Sequence, residues 1–343
     1  MKLERLVAIG VAALSAFAGA VCAQVSVPPP ALPSAVPLPG VALRVPAGAE
    51  VRESAVAPSR WQQELDRLDA DLRLRLLTAN DPLTDWLAAE IDATDIESQV
   101  RHYAAARVGA PADRVYLAAL AVACLQPVRP TLPACDAVDR LADWSRRDAD
   151  NGVPSMLLAG RARVRGDSDA VTAYIDQAAA APRFDDYAAQ QPQRWWQYLR
   201  TLDVGIDAAA KARAAANYGA GNELAWAPSL RAVCVDGRRS DRMRTVCAAL
   251  GQSLSARGAT FALRRAGARV AEINAADAGA RSAAQSRNAR LLAASARCAQ
   301  VEPDFAAALE SPDAASRARG VEQFAAWADA RAQFGEVVAC ERV

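Results

Sequence analysis

Residues 114–147 read RVYLAALAVACLQPVRPTLPACDAVDRLADWSRR. Leu117, Leu120, Ala121 and Cys124 recur at the spacing of one helical face, and Cys135, Val138, Leu141 and Ala142 repeat it beyond a loop holding Pro127, Pro130 and Pro133. Two apolar helical faces separated by a proline-rich loop predict a helical hairpin whose two thiols point inward at facing helix ends. The pattern returns downstream: Trp226, Leu230, Val233 and Cys234 lead into Asp236-Gly237, and Met243, Val246, Cys247, Leu250 and Leu254 form the returning face. Pairing Cys124 with Cys135 and Cys234 with Cys247 leaves Cys298, on a face with Leu291 and Ser295, for Cys340 near the C-terminus. Three bridges local in sequence are the framework this predicts.

Composition agrees with a helical chain. The 343 residues include 84 Ala but only 6 Ile and 8 Thr, so the strongest helix former supplies the apolar content and the β-branched residues favoured in strands are scarce. With 52% hydrophobic and 23% charged residues the chain is neither disordered nor collagen-like. The fold class is therefore all-α and disulfide-stapled: a helical-hairpin array or an irregular α-solenoid.

The N-terminus supplies an address. Lys2 and Arg5 precede an apolar run from Leu6 to Ala20, and Val21-Cys22-Ala23 offers small residues for cleavage, which predicts a secretory signal at 1–23. Val21 stands where bacterial lipoprotein signals carry Gly, Ala or Ser, so lipid attachment at Cys22 is disfavoured. The competing reading is a retained anchor, since Leu6 to Ala23 is uncharged and near the shortest span that crosses a bilayer. Either reading places the remainder outside the cytoplasm, periplasmic or secreted, where six cysteines favour disulfides. Residues 24–57 concentrate Pro28, Pro29, Pro30, Pro33, Pro37, Pro39 and Pro46, a semi-rigid spacer ahead of a helical domain at 58–343.

Leu157, Gly166-Asp167, Ala170, Tyr174 and Pro182 resemble the small-and-large pattern of a tetratricopeptide-like hairpin over Asn151 to Pro182, without that pattern's early Trp and central Tyr and without a second copy. The resemblance implies an array of helical hairpins that presents a surface to partners. An ordinary irregular helical domain is the alternative.

Chemistry-bearing motifs are sparse. His102 is the sole histidine, no Cys-x-x-Cys occurs, and no nucleophile elbow, phosphate-binding loop or zinc-protease helix is present, so neither a metal nor a cofactor is expected. Glu64, Glu90, Glu97 and Glu223 are the carboxylates from which a cell-wall glycan hydrolase or lyase would be built, although Glu97 stands four residues before Arg101, which gives it a structural use. Charge is distributed unevenly. Residues 238–297 hold twelve arginines against Asp241, Glu272 and Asp277, a surplus of nine. Arg238, Arg239, Arg242, Arg264 and Arg265, with Trp196 as an exposed anchor, are the candidate partner-binding residues; guanidinium forks suit carboxylates and phosphates. The bland readings are solvated helix faces for the arginines and a core role for Trp196. Phe261 is the only aromatic residue in the basic segment, which argues against nucleic acid. A non-catalytic adaptor or binding protein of the cell envelope, engaging a protein or an anionic component, is the leading expectation, with membrane contact only if the leader is retained.

Overall fold

Asp, Asn, Ser and Thr side chains set where the helices begin. Asp95, Asp113, Asp139, Asn151, Asp167, Ser240, Thr260, Asp277 and Asp313 each adopt the N-cap position and accept a backbone N–H from the first turn. The computed structural model describes residues 60–76, 78, 80–91, 95–125, 132–219, 225–236, 240–299 and 301–342, all within one body spanning 57–343. Among them every regular element is helical, and the only β-pairing is two isolated bridges, Asn151 with Arg183 and Phe184 with Gly258. The leader at 1–23, the spacer at 24–57, Glu223, Arg238 and Arg239 lie outside the described residues.

In the first half each helix packs on its successor. Helix α1 (Arg60–Leu76) buries Leu68, Leu72 and Leu76. Successive packing then joins α2 (Pro82–Ile91), α3 (Ile96–Gly109), α4 (Arg114–Ala123), α6 (Arg140–Arg147), α7 (Gly152–Val164) and α8 (Ser168–Ala180), with the single turn α5 (Pro133–Asp136) between α4 and α6. Periodicity predicts one helix over 134–149. The structure breaks it at 137–139, because Asp139 caps α6, and Val138 turns out to solvent. Between α7 and α8 Gly166 takes a left-handed conformation (φ 76°), which its missing Cβ permits.

Beyond α8 the chain leaves this sequence of neighbours. A 3-10 turn at 188–190 leads into α9 (Gln191–Leu199); the sequence predicts a helix over 187–202 that Pro192 can start later, and Pro192 does stand in its first turn. Pro228 does the same for α11 (Ala227–Cys234), which follows α10 (Ala208–Gly219). Then α12 (Asp241–Arg257) packs back on α8, and α13 (Phe261–Ile273) and α14 (Ala278–Cys298) extend the layer. Two helices unforeseen in the sequence, α15 (Val301–Leu309) and α17 (Glu336–Arg342), flank α16 (Ala314–Phe334), and α15–α16 close against the α9–α10 hairpin.

Two packing devices stand out. Helices α12 and α13 cross at Gly251 and Gly267, where an added Cβ would lie 2.4 Å from the backbone nitrogen of Ala271 or of Ser255. All three bridges join the expected partners: Cys124–Cys135, Cys234–Cys247 and Cys298–Cys340, with Cα separations of 5.5, 5.5 and 5.4 Å. Such bonds belong to an oxidising compartment. No described helix is long and apolar enough to cross a membrane.

Cys234 and Cys247 are fully buried and close a short loop, separation 13, so replacing both with Ala should remove about 3 kcal/mol of stability by urea titration. Gly251→Val should cost about 1–3 kcal/mol or more in the same assay, because backbone and not a flexible side chain occupies the space.

Candidate functional site

Three places combine polar chemistry with defined geometry. The first is a buried knot where α6 hands over to α7 and α8 hands over to α9. Asp148, with no exposed surface, accepts hydrogen bonds at Oδ2 from Trp144 Nε1 (3.1 Å), Asn151 Nδ2 (2.8 Å) and Tyr187 Oη (2.6 Å) and at Oδ1 from the Arg183 guanidinium, with Arg114 Nη1 3.3 Å from the same Oδ1. Asn151 also exchanges two bonds with Asp185, accepting from its N–H at 3.0 Å and donating to its carbonyl at 2.7 Å. Arg183 Nε reaches Asp150 Oδ2 at 3.0 Å.

The knot holds one residue in an unfavourable conformation. Tyr187 has φ 64°, a region bulky side chains avoid, and its backbone N–H donates to Asp185 Oδ1 at 2.8 Å. Asp186 faces the other way and accepts Trp226 Nε1 at 2.9 Å. Burial pushes the Asp186 carboxyl upward and pushes that of Asp185 up to about 6. Tyr187 is raised as well, first by burial and then by its bond to Asp148. Perturbed groups and backbone strain mark many active sites. Here, however, the named donors and acceptors are turned on one another, and the arrangement acts as a joint.

The second place surrounds Arg194 on α9. Its Nη2 donates to both carboxylate oxygens of Asp113, at 3.1 and 2.9 Å, and the guanidinium stacks 4.8 Å from the Tyr116 ring centroid and 5.8 Å from that of Trp86. Asp113 caps α4 at the same time, so one carboxylate pins α9 to α4. Trp196, two residues further on, is not the exposed anchor expected: it is buried, edge-on to Phe324 at 5.7 Å, and Phe324 continues to Phe305 and Trp327. An exposed anchor at this position is ruled out because α15–α16 cover it. The groove beside this region, about 310 Å³ between Leu65, Asp66, Asp69, Ala214, Asn217 and Tyr218, is closed on one side by the Tyr218 hydroxyl donating to Asp69 at 2.9 Å.

The third place is the arginine-rich layer α12–α14. Arg242 near the start of α12 and Arg265 on α13 are exposed, whereas Arg264 is half-buried, donates to the Gly258 carbonyl at 2.8 Å and has its pKa lowered by burial. The structure does not gather these three. Arg242 stands some fifteen residues before the α12–α13 turn and Arg264 and Arg265 just after it, about 20 Å apart along an antiparallel pair. Local partners absorb part of the surplus: Arg269 pairs with Glu272 at 2.7 Å and Arg244 with Asp241. Glu272 is held below the usual carboxylate range by Gln285 and then by Arg269.

Among the described residues the candidate carboxylates Glu64, Glu90 and Glu97 sit on three different helices. Glu90 accepts the Tyr103 hydroxyl at 2.7 Å, Glu97 is exposed at the start of α3, and Glu64 belongs to α1. Arg101 donates to Ser98 at 3.2 Å and leaves the expected Glu97 contact unmade. His102 lies 3.4 Å from Asp85 in a partly buried contact between α2 and α3. Nothing in local spacing announces the joint, because Asp148 and Tyr187 stand 39 residues apart. Compared with known proteins, the chain matches no family model, no curated protein and no solved structure.

The raised Asp185 carboxyl has a definite sign. Its folded pKa of about 6 lies above the unfolded value of about 3.9, so between these the native state holds the extra proton. Its contribution is present below pH 4 and lost as pH rises through 6. Asp185→Asn keeps the Oδ1 acceptor for Tyr187 and should gain about 1–3 kcal/mol over the parent at pH 8 but little at pH 4. Urea midpoints that run parallel for parent and variant across this window would contradict the assignment.

Proposed function

We propose that this chain is an exported, non-catalytic binding protein of the cell envelope, periplasmic or secreted, serving as an adaptor, an assembly factor or an inhibitor. The observation that carries the reading is α14. This 21-residue helix buries a single side chain, Ala284, packs chiefly on α13, and touches α15 and α17 only slightly. A helix spends so little of its surface on its own fold when the layer it ends is open to something else.

Other features support the same reading. Three disulfides suit an extracytoplasmic body, and the predicted leader supplies the route. Residues 151–182, which resemble a tetratricopeptide-like hairpin, form α7 and α8, so a tetratricopeptide-like array is the architecture proposed. Bridged hairpins give a stiff scaffold, and stiffness lowers the ordering cost of association.

Photo-cross-linking in living cells tests the proposal. Full-length protein carrying the cross-linker at Arg242, Arg265, Ala289 or Ala293 should yield discrete adducts from the α13–α14 positions that saturate with expression. Smears of equal intensity from every position, or no adducts, would count against a binding role. The export step has its own readout: protein released by osmotic shock should begin at Gln24, and intact leader with free thiols in the cytosol would refute it.

A further inference from the structure

The open side of α14 has a definite chemical character. Counting 100° per residue, Ser282, Ser286, Ala289, Ala293 and Ala296 fall on the side opposite Ala284, and all are exposed. Along one margin of this strip stand Arg290 and Arg297, within about 20° of each other and about 10 Å apart along the axis. Both are exposed, and neither has an ion-pair or hydrogen-bond partner among the described residues. The other margin carries Gln285, bonded to Glu272, with Arg281 on the same edge.

The geometry points to an acidic amphipathic helix of another protein as the occupant of this face, laid along α14 as the next member of the layer. This rests on the binding role proposed above and names its partner's chemistry. Two unpaired guanidiniums a two-turn step apart match carboxylates repeated every seven residues on a facing helix. The serines and alanines of the strip leave low relief, so a second helix axis can approach closely, as α12 and α13 do at Gly251 and Gly267.

The other occupants fit less well. A second copy placed symmetrically on this face sets Arg290 and Arg297 near their own equivalents, a like-charge juxtaposition. A membrane surface is attracted by arginine but calls for aromatic or leucine side chains to enter the interface, and the strip contains none; Leu292, 43% exposed, lies toward the Gln285 edge.

The test uses the full mature chain and a synthetic helical peptide of the same length as α14, with Ala at the a and d positions of each heptad and Glu at e and g. Its counterpart has Lys for Glu. Calorimetry at low salt should show saturable one-to-one binding of the Glu peptide and none of the Lys peptide. R290E/R297E should weaken the Glu peptide by about tenfold or more, with an unchanged helical circular dichroism spectrum. R290Q/R297Q should give an intermediate loss. Equal binding of both peptides, or binding indifferent to R290E/R297E, overturns the inference. So does preferential binding to vesicles of equimolar phosphatidylglycerol and phosphatidylcholine, or self-association abolished by the same variant. A cross-linked partner elsewhere on the protein together with a failed peptide test would leave the binding role standing and remove only this face.

Discussion

The body depends on one buried charge. Asp148 has no contact with solvent, and a carboxylate in that position costs several kcal/mol unless its oxygens are satisfied. Its partners come from α6, from the α6–α7 turn, from the start of α4 and from the segment after α8. Only one path of the chain beyond α8 brings Arg183 and Tyr187 to it. The strained Tyr187 backbone is tolerated on those terms, because its hydroxyl is committed to Asp148 and its N–H to Asp185. A pair of this kind contributes little net stability compared with packed apolar groups, and its main effect is to make alternative paths expensive.

From that joint two directions follow. Phe184 fills the space beside Gly152, and its carbonyl receives the Ala259 N–H at 2.8 Å, which brings the α12–α13 turn against it. Ser253 and Arg257 of α12 then donate to carbonyls at the end of α8, at 2.7 and 2.6 Å. Asp186, next in line, is tied to Trp226 and so directs the chain that carries α9 to α11. Helix α9 is in turn held to α4 by Arg194 and covered by the Phe305, Phe324 and Trp327 cluster. A few adjacent residues thus split the later chain into a layer that continues from α8 and a pair of hairpins that folds back.

What the sequence makes legible are the features whose cause is local. Apolar stripes at helical spacing and the Gly and Pro turns between them locate most helices, and thiols at the ends of consecutive stripes identify the bridges, because short loops leave facing ends few other partners. The misses have physical reasons. Over 134–149 the apolar stripe overrode Asp139, whose capping bond decides the break. Trp196 lies off the face of Trp195, Tyr198 and Leu199, so the helix wheel leaves an exposed anchor open beside the core role; the element that covers it, α16, is more than a hundred residues away. Asp148 and Asp185 carry no signal in local spacing, because the contacts that enclose them come from residues 34 to 39 positions away. The arginine surplus was visible as a sum, but its division into paired and unpaired groups needed the packing of α12–α14.

That division bears on how α14 can be a surface at all. A helix with one buried side chain has little hydrophobic anchorage, whereas most helices in folded proteins owe their stability chiefly to the packing of one face. Three other constraints hold it. Its sequence is rich in Ala, the residue that loses least on entering a helix; Asp277 caps its first turn through the Ala280 N–H at 2.8 Å; and Cys298 ties its last turn to Cys340 on α17. Arg287 adds a bond to Ser255 on α12 at 2.9 Å. Backbone propensity, a cap and a covalent bond therefore do the work that burial does elsewhere in the protein, and they leave the outward side chains uncommitted. A helix fixed at both ends and free along its face is already in the conformation that a docking partner requires, so association there does not include the cost of ordering the backbone of α14.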